Sequence, residues 1–225
     1  MEFRRNLDGT MDIRLIIFDF DGTIGDTRRN VVVTMQQTLA ELNLPERSEE
    51  ACAATIGIPL EDCFRQLQPD VAEEVILQCA ATYRRIFEIN KERMRPQPFP
   101  HVAETLKILH EQGVQMTVAT SRGLESVKDL LTGMGLIQYF DYLLGADSVT
   151  KHKPDPEPVL MTLRDMNVDT SQALVVGDMP VDILMGSRAG CKTCGVTYGN
   201  ASKEELQEAG ADYIIDDIKL LLELI

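Results

Sequence analysis

The sequence predicts an α/β protein built on a parallel sheet, with an all-helical block inserted after the first strand. Three observations predict this. The apolar run Leu15-Ile16-Ile17-Phe18 leads without polar alternation into Asp19, Phe20, Asp21 and Gly22, the pattern of a strand buried on both faces. From His101 onward, short apolar runs alternate with helix-patterned segments, the signature of βαβ units. Between these regions, residues 28–95 carry helical spacing and no convincing strand alternation.

Taken in order, the first strand runs from Ile13 to Phe18, and Ile24 to Thr27 is a turn. Val31, Met35, Leu39 and Leu42 recur at helical spacing, so Arg28 to Leu42 is an amphipathic helix ended by Asn43 to Pro45. Thr55 to Pro59 is a break, Leu60 to Leu67 a short helix and Ala72 to Asn90 a longer one. Pro96, Pro98 and Pro100 then hold an extended, stiff connector. These breaks place one domain at residues 1–26 and 96–225, and a helical domain at 27–95.

Helices follow at Val102 to Gln112, Leu124 to Met134, Asp155 to Met166, Val181 to Ala189, Lys203 to Ala209 and Ile218 to Leu224. Strands alternate with them at Val114 to Ala119, Tyr142 to Gly145, Ala173 to Gly177, Lys192 to Val196 and Tyr213 to Ile215. Glycines after several of these helices, Gly113, Gly135 and Gly190 among them, are stop signals.

Composition narrows the function. With 225 residues the chain has room for one large or two modest domains. Its net charge of −14 disfavours nucleic acid and anionic membrane surfaces as partners. No apolar run approaches the roughly 20 residues that cross a bilayer. Met1 to Asp12 lacks the apolar core of a signal peptide and reads as a loose extension, with Met11 an alternative start. Five scattered cysteines fit a reducing cytoplasm. Cys191 and Cys194 make a single CxxC, and the chain has three histidines; two small residues of a strand explain the pair without zinc or redox chemistry.

The polar residues at strand ends carry the chemistry. Asp19 and Asp21, two apart in an extended segment, face one site. Two close carboxylates repel unless a cation or proton intervenes, which points to a metal site, an acid/base pair, or both. Gly22 lets the backbone turn and approach a ligand. Thr120 with Ser121, and Asp178 with Asp182 one helical turn on, end two further strands, and parallel strands bring such ends to one edge. Lys153 precedes a helix, with its backbone restricted by Pro154. Singly, each has an ordinary structural explanation as a turn residue, helix cap or solvated lysine; their joint occurrence at strand ends is improbable.

Acid, hydroxyl and ammonium together are what phosphoryl transfer needs. A carboxylate attacks phosphorus, and the phosphate's charge must be neutralised. Mg²⁺ takes oxygen ligands, including one or two carboxylates, which Asp19 and Asp178 can supply. Lys153 adds a charge, and Thr120 a hydroxyl donor, to the phosphate oxygens.

Asp19-Phe20-Asp21-Gly22-Thr23 resembles the DxDGT signature of the haloacid dehalogenase superfamily. Thr120, Lys153 with Pro154, and Gly177-Asp178 with Asp182 match that family's later motifs in order. The resemblance covers Ile13 to Ile225. It implies a Rossmann-like, three-layer core with a helical cap, and a Mg²⁺-dependent phosphatase with an aspartyl-phosphate intermediate. By position, Asp19 is then nucleophile and Mg²⁺ ligand, and Asp21 general acid/base with a backbone carbonyl on the metal. Thr120, Ser121, Lys153 and Gly22 bind the phosphoryl group, and Asp178 and Asp182 complete the metal site. The Asp at position 21 argues against dehalogenation.

Thr55 to Leu60 and Val196 to Gly199 resemble phosphoglycolate phosphatases. Ser121-Arg122 stands where those relatives often have Asn-Lys, and His101 where glycine is usual. The leading expectation is a cytoplasmic phosphatase, monomeric or homodimeric, acting on a small phosphorylated metabolite. A phosphomutase of the β-phosphoglucomutase type, a pyrophosphatase, and a catalytically idle binding protein are the alternatives. In the helical block, Arg65 is a candidate partner for a second anionic group on the substrate, with Thr55 and Ile56 facing inward.

Overall fold

A computed structural model describes residues 12–225; the expectation for the stretch up to Met11 falls outside the described residues. Leu15–Phe18 forms β1, all four side chains buried. β1 pairs in parallel with Gln115–Ala119 (β4) on one side and Ala173–Gly177 (β6) on the other, Leu15 standing opposite both Gln115 and Ala173. Tyr142–Leu144 (β5), Lys192–Val196 (β7) and Tyr213–Ile215 (β8) extend a six-stranded parallel sheet of order β5-β4-β1-β6-β7-β8.

The two-residue period of the strands builds the three layers. Ile16 and Phe18 face α5 (Val102–Glu111) and α6 (Leu124–Gly133) in one apolar cluster. Leu15 and Ile17 face α7 (Glu157–Met166) and α8 (Pro180–Arg188) in another. The alternation repeats in β6, where Leu174 and Val176 join the first cluster and Ala173 and Val175 the second. A short helix α9, Lys203–Glu208, closes the β7–β8 edge. The last segment, Ile218–Glu223, is a 3₁₀ helix rather than the α-helix its spacing suggested.

The inserted block holds α1 (Arg28–Glu41), α2 (Glu49–Ala53), α3 (Leu60–Leu67) and α4 (Glu73–Arg93). α1 and α4 pack together. They are tied by a buried polar contact, the Asn90 amide donating to Thr34 Oγ1 at 2.9 Å and Gln37 Oε1 at 2.8 Å. α2 was absent from the pattern reading. It has no full turn of apolar spacing and is held by Ser48, whose hydroxyl caps Ala51 N–H.

Both chain crossings between the sheet and this block are paired. Gly25–Asp26 (β2) and Gln97–Pro98 (β3) form a two-stranded antiparallel ribbon, and Phe99 N–H donates to Ile24 O at 3.0 Å. The turn and the proline connector read from the sequence are thus two sides of one ribbon, too short to carry a periodic signal.

Candidate active site

β1, β4 and β6 are adjacent, so their carboxyl ends deliver Asp19, Thr120 and Asp178 to one rim. Asp19 follows Phe18 directly, and its own N–H donates to Val176 O at 2.8 Å. Lys153 Nζ reaches in from the loop before α7 and donates to Asp19 Oδ1 at 2.5 Å and Asp182 Oδ1 at 2.7 Å. Its side chain is 2% exposed.

Asp19, Asp178 and Asp182 each offer an oxygen within 4.8 Å of the others'. All three are buried. Three carboxylates around one ammonium leave an uncompensated negative charge out of water, which is costly. The carboxyls respond accordingly. Burial, then the neighbouring Asp182, pushes Asp178 up to about 7, although Asn200 opposes it. Burial also raises Asp19 well above the usual carboxylate range against the pull of Lys153, with Asp182, Asp178 and Asp21 adding to the rise. Burial works against the Lys153 ammonium, but Asp182 and Asp19 outweigh it and its pKa rises. An all-oxygen, anionic, deeply buried donor set of this kind suits Mg²⁺.

Asp178 is fixed from several sides. Asn200 donates to its Oδ2 through backbone N–H at 2.7 Å and the side-chain amide at 2.9 Å, and Thr23 Oγ1 donates to Oδ1 at 3.3 Å. Tyr198 OH donates to Thr23 O at 3.0 Å. Gly22 has φ +95°, and a Cβ there would stand 2.1 Å from Asp178 Oδ2. Gly22 therefore makes room for a protein carboxylate.

The Asp21 carboxylate is turned away from that cluster. Arg122 grips it from two nitrogens, Nη2 to Oδ1 at 2.6 Å and Nε to Oδ2 at 3.1 Å, and Thr27 Oγ1 donates to Oδ1 at 2.6 Å. Thr120 is buried, and its Oγ1 accepts from Arg122 N–H at 3.1 Å. Ser121 Oγ donates to Gly57 O in the helical block at 2.7 Å, so its hydroxyl joins the two parts of the chain rather than standing free for a ligand.

A cavity of about 690 Å³ opens between the sheet edge and the helical block. Asp19, Asp21, Thr120 and Arg122 form its floor, and Met35, Ile56, Ile58 and Phe87 part of its apolar wall. Arg65 is not among its lining residues: it is 45% exposed and tied to Glu73 and Asp62. Thr55 is buried with its hydroxyl on Cys52 O. The cavity's arginines and lysine are instead Arg122, Arg84, paired with Glu61, and Lys91, paired with Glu88 and Asp129.

Arg122 and Asn200 were not assigned roles from the sequence. Ser121-Arg122 did stand out as a departure in the second motif, the one signal available for Arg122; Asn200 carried none beyond following Gly199. The five cysteines are unpaired and buried. Among the described residues, no helix is long and apolar enough to cross a membrane.

Fold and site together define an α/β protein with a buried cluster of acids and a lysine at the carboxyl edge of a parallel sheet, beneath an inserted helical block. The sequence model of the haloacid dehalogenase-like hydrolases matches residues 16–196, and the chain belongs to that family. It is 38% identical over 207 residues, 90% of this chain and 89% of the other, to "Probable phosphatase IndB" of Dickeya dadantii. It is 30% identical over 215 residues, 96% of this chain and 98% of the other, to pyrophosphatase PpaX of Halalkalibacterium halodurans. A crystal structure from Haemophilus somnus 129pt, described as a predicted phosphoglycolate phosphatase, superposes with TM-score 0.83 at 26% identity, covering 96% of this chain and 99% of that one.

Proposed function

We propose that this chain is a Mg²⁺-dependent phosphatase that hydrolyses a small phosphate monoester through an aspartyl-phosphate on Asp19. The observation that carries the reading is the buried cluster of Asp19, Asp178 and Asp182, with Lys153 paired to Asp19 and Asp182, of which Asp19 lines a cavity large enough for a phosphorylated metabolite. In this reading Asp19, Asp178 and Asp182 hold Mg²⁺, which when bound neutralises negative charge where the phosphoryl group sits. Asp19 attacks phosphorus while Lys153 and Thr120 take the phosphoryl oxygens. Asp21, on the cavity side, protonates the leaving oxygen and then takes a proton from the water that hydrolyses the acyl phosphate.

Residues 27–95 act in this reading as a cap over the core of residues 1–26 and 96–225, excluding water during the first step. The family supports hydrolysis; the names of its relatives support phosphoglycolate and pyrophosphate as the substrates to test first. A pyrophosphatase is the second reading, favoured by likeness to PpaX over nearly the whole chain.

The test begins with an aryl phosphate. EDTA should abolish turnover, Mg²⁺ should restore it, and Ca²⁺, which prefers more ligands and looser geometry, should not. Acid quench during turnover of labelled substrate should leave label on Asp19, and Asp19→Asn should lose both label and turnover. Full activity in EDTA, or wild-type turnover by Asp19→Asn, overturns the proposal. A panel of phosphoglycolate, sugar phosphates, nucleotides and pyrophosphate, ranked by kcat/KM, decides between the two readings.

A further inference from the structure

We infer that Arg122 is a positioning residue through which the helical block sets the acid/base carboxylate of Asp21; the inference rests on the reading of Asp21 given above. The Arg122 side chain is 10% exposed and that of Asp21 12%, so the pair is largely withdrawn from water. Its two-pronged grip fixes the direction of the carboxylate as well as its place, which a single contact does not. A charged pair this buried needs support on its remaining sides. Here the support comes from the helical block: the guanidinium carbon stands 4.7 Å from the centre of the Phe87 ring.

Phe87 is itself the end of an aromatic row. It stacks on Tyr83, one turn back on α4, at 5.8 Å and 19°, and Tyr83 meets Phe64 of α3 edge-on at 6.1 Å. On the sheet side, Arg122 Nη1 donates to Ser126 on α6 at 3.2 Å. The neighbouring Ser121 donates to Gly57 O of the block. The loop after β4 therefore touches the block at two consecutive residues, and one of them holds Asp21. In this arrangement Phe87 of the block covers Arg122 and the guanidinium aims the carboxylate.

The experiment compares Arg122→Lys, Phe87→Leu and Asp21→Asn in the Mg²⁺-loaded enzyme. Two substrates are used: an alkyl phosphate, whose leaving oxygen must be protonated, and a p-nitrophenyl-type ester, whose oxygen leaves without help. A carboxylate misplaced by about an ångström costs on the order of 100-fold. Arg122→Lys should therefore lose roughly 10- to 100-fold in kcat/KM, which reports formation of the phospho-enzyme alone, on the alkyl ester and only a few-fold on the aryl ester. Phe87→Leu should follow with a smaller loss of the same selectivity. In the Asp21→Asn background, Arg122→Lys should cost nothing further, because it acts through the missing carboxylate. Retained aryl phosphatase activity certifies the fold, and Phe87→Leu carries the test if Arg122→Lys does not fold. Equal losses on both esters, or losses that add to those of Asp21→Asn, overturn the inference while leaving Asp21's role intact. If Asp21→Asn itself lowers kcat/KM equally on both esters, the acid/base reading fails and the inference falls with it.

Discussion

Gly22 carries a constraint out of proportion to its size. Its φ of +95° is one that L side chains rarely adopt, and the space a methyl would need is filled by the Asp178 carboxyl, with Oδ2 at 2.1 Å and Cγ at 2.6 Å. Gly22→Ala should therefore act twice: backbone strain of about 1–3 kcal/mol, and displacement of Asp178 from Asn200. Urea unfolding should report the first and the Mg²⁺ concentration for half-maximal activity the second, raised by about tenfold for each 1.4 kcal/mol of cation binding lost. Wild-type values in both assays would mean the site tolerates a shifted Asp178. Asp19, Lys153, Asp178 and Asp182 were legible in the sequence because each stands at a position the alternating pattern fixes, a strand end, the loop before a helix or, for Asp182, the first turn of a helix. Arg122 and Asn200 were not. Arg122 meets a residue 101 positions away, Asn200 one 22 away, and in both cases a loop's path, not a period, makes the meeting.

The helices and strands followed from their spacing, and the parallel sheet from their alternation, because burial on one or two faces imposes a period on the residues. The ribbon of Gly25–Asp26 with Gln97–Pro98 and the helix Glu49–Ala53 were missed for the opposite reason: a two-residue strand and a five-residue helix have no period to read. The same limit displaced the inward-facing residues of the helical block. Ile56 does line the cavity, but Ile58 and Phe87, rather than Thr55 and Arg65, stand with it. If this block selects the substrate, Ile56→Ala and Ile58→Ala should change the ratio of kcat/KM between phosphoglycolate and a bulkier monoester by about tenfold, the scale of one or two methylenes in an apolar pocket. Mg²⁺ activation and labelling of Asp19 should be unaffected. A ratio that stays constant through both substitutions, and through changes at Met35, would remove the block from specificity.

Across the whole molecule, the proposed cation site sets a pH dependence of stability. Without a cation, the Asp178 carboxyl holds its proton up to about 7, because burial and then Asp182 disfavour the charged form; in the unfolded chain an aspartate releases it near 4. Between those values the folded state binds more protons than the unfolded one, so stability falls as pH rises through that window. Asp19, raised in the same direction by burial, adds to the trend. In EDTA, the Tm of the wild type should therefore drop between pH 5 and pH 8 relative to that of Asp178→Asn, whose amide does not titrate. Mg²⁺ competes with these protons, so it should raise the Tm more at pH 8 than at pH 5. At a hundredfold excess over its Kd the stabilisation is about 2.7 kcal/mol, or roughly 5–10 °C for a chain of this size. Asp178→Asn should lose most of this shift at both pH values. A Mg²⁺ effect of equal size at pH 5 and pH 8, or one that survives in Asp178→Asn, would show that the cation binds somewhere other than the acids at the end of β1 and β6.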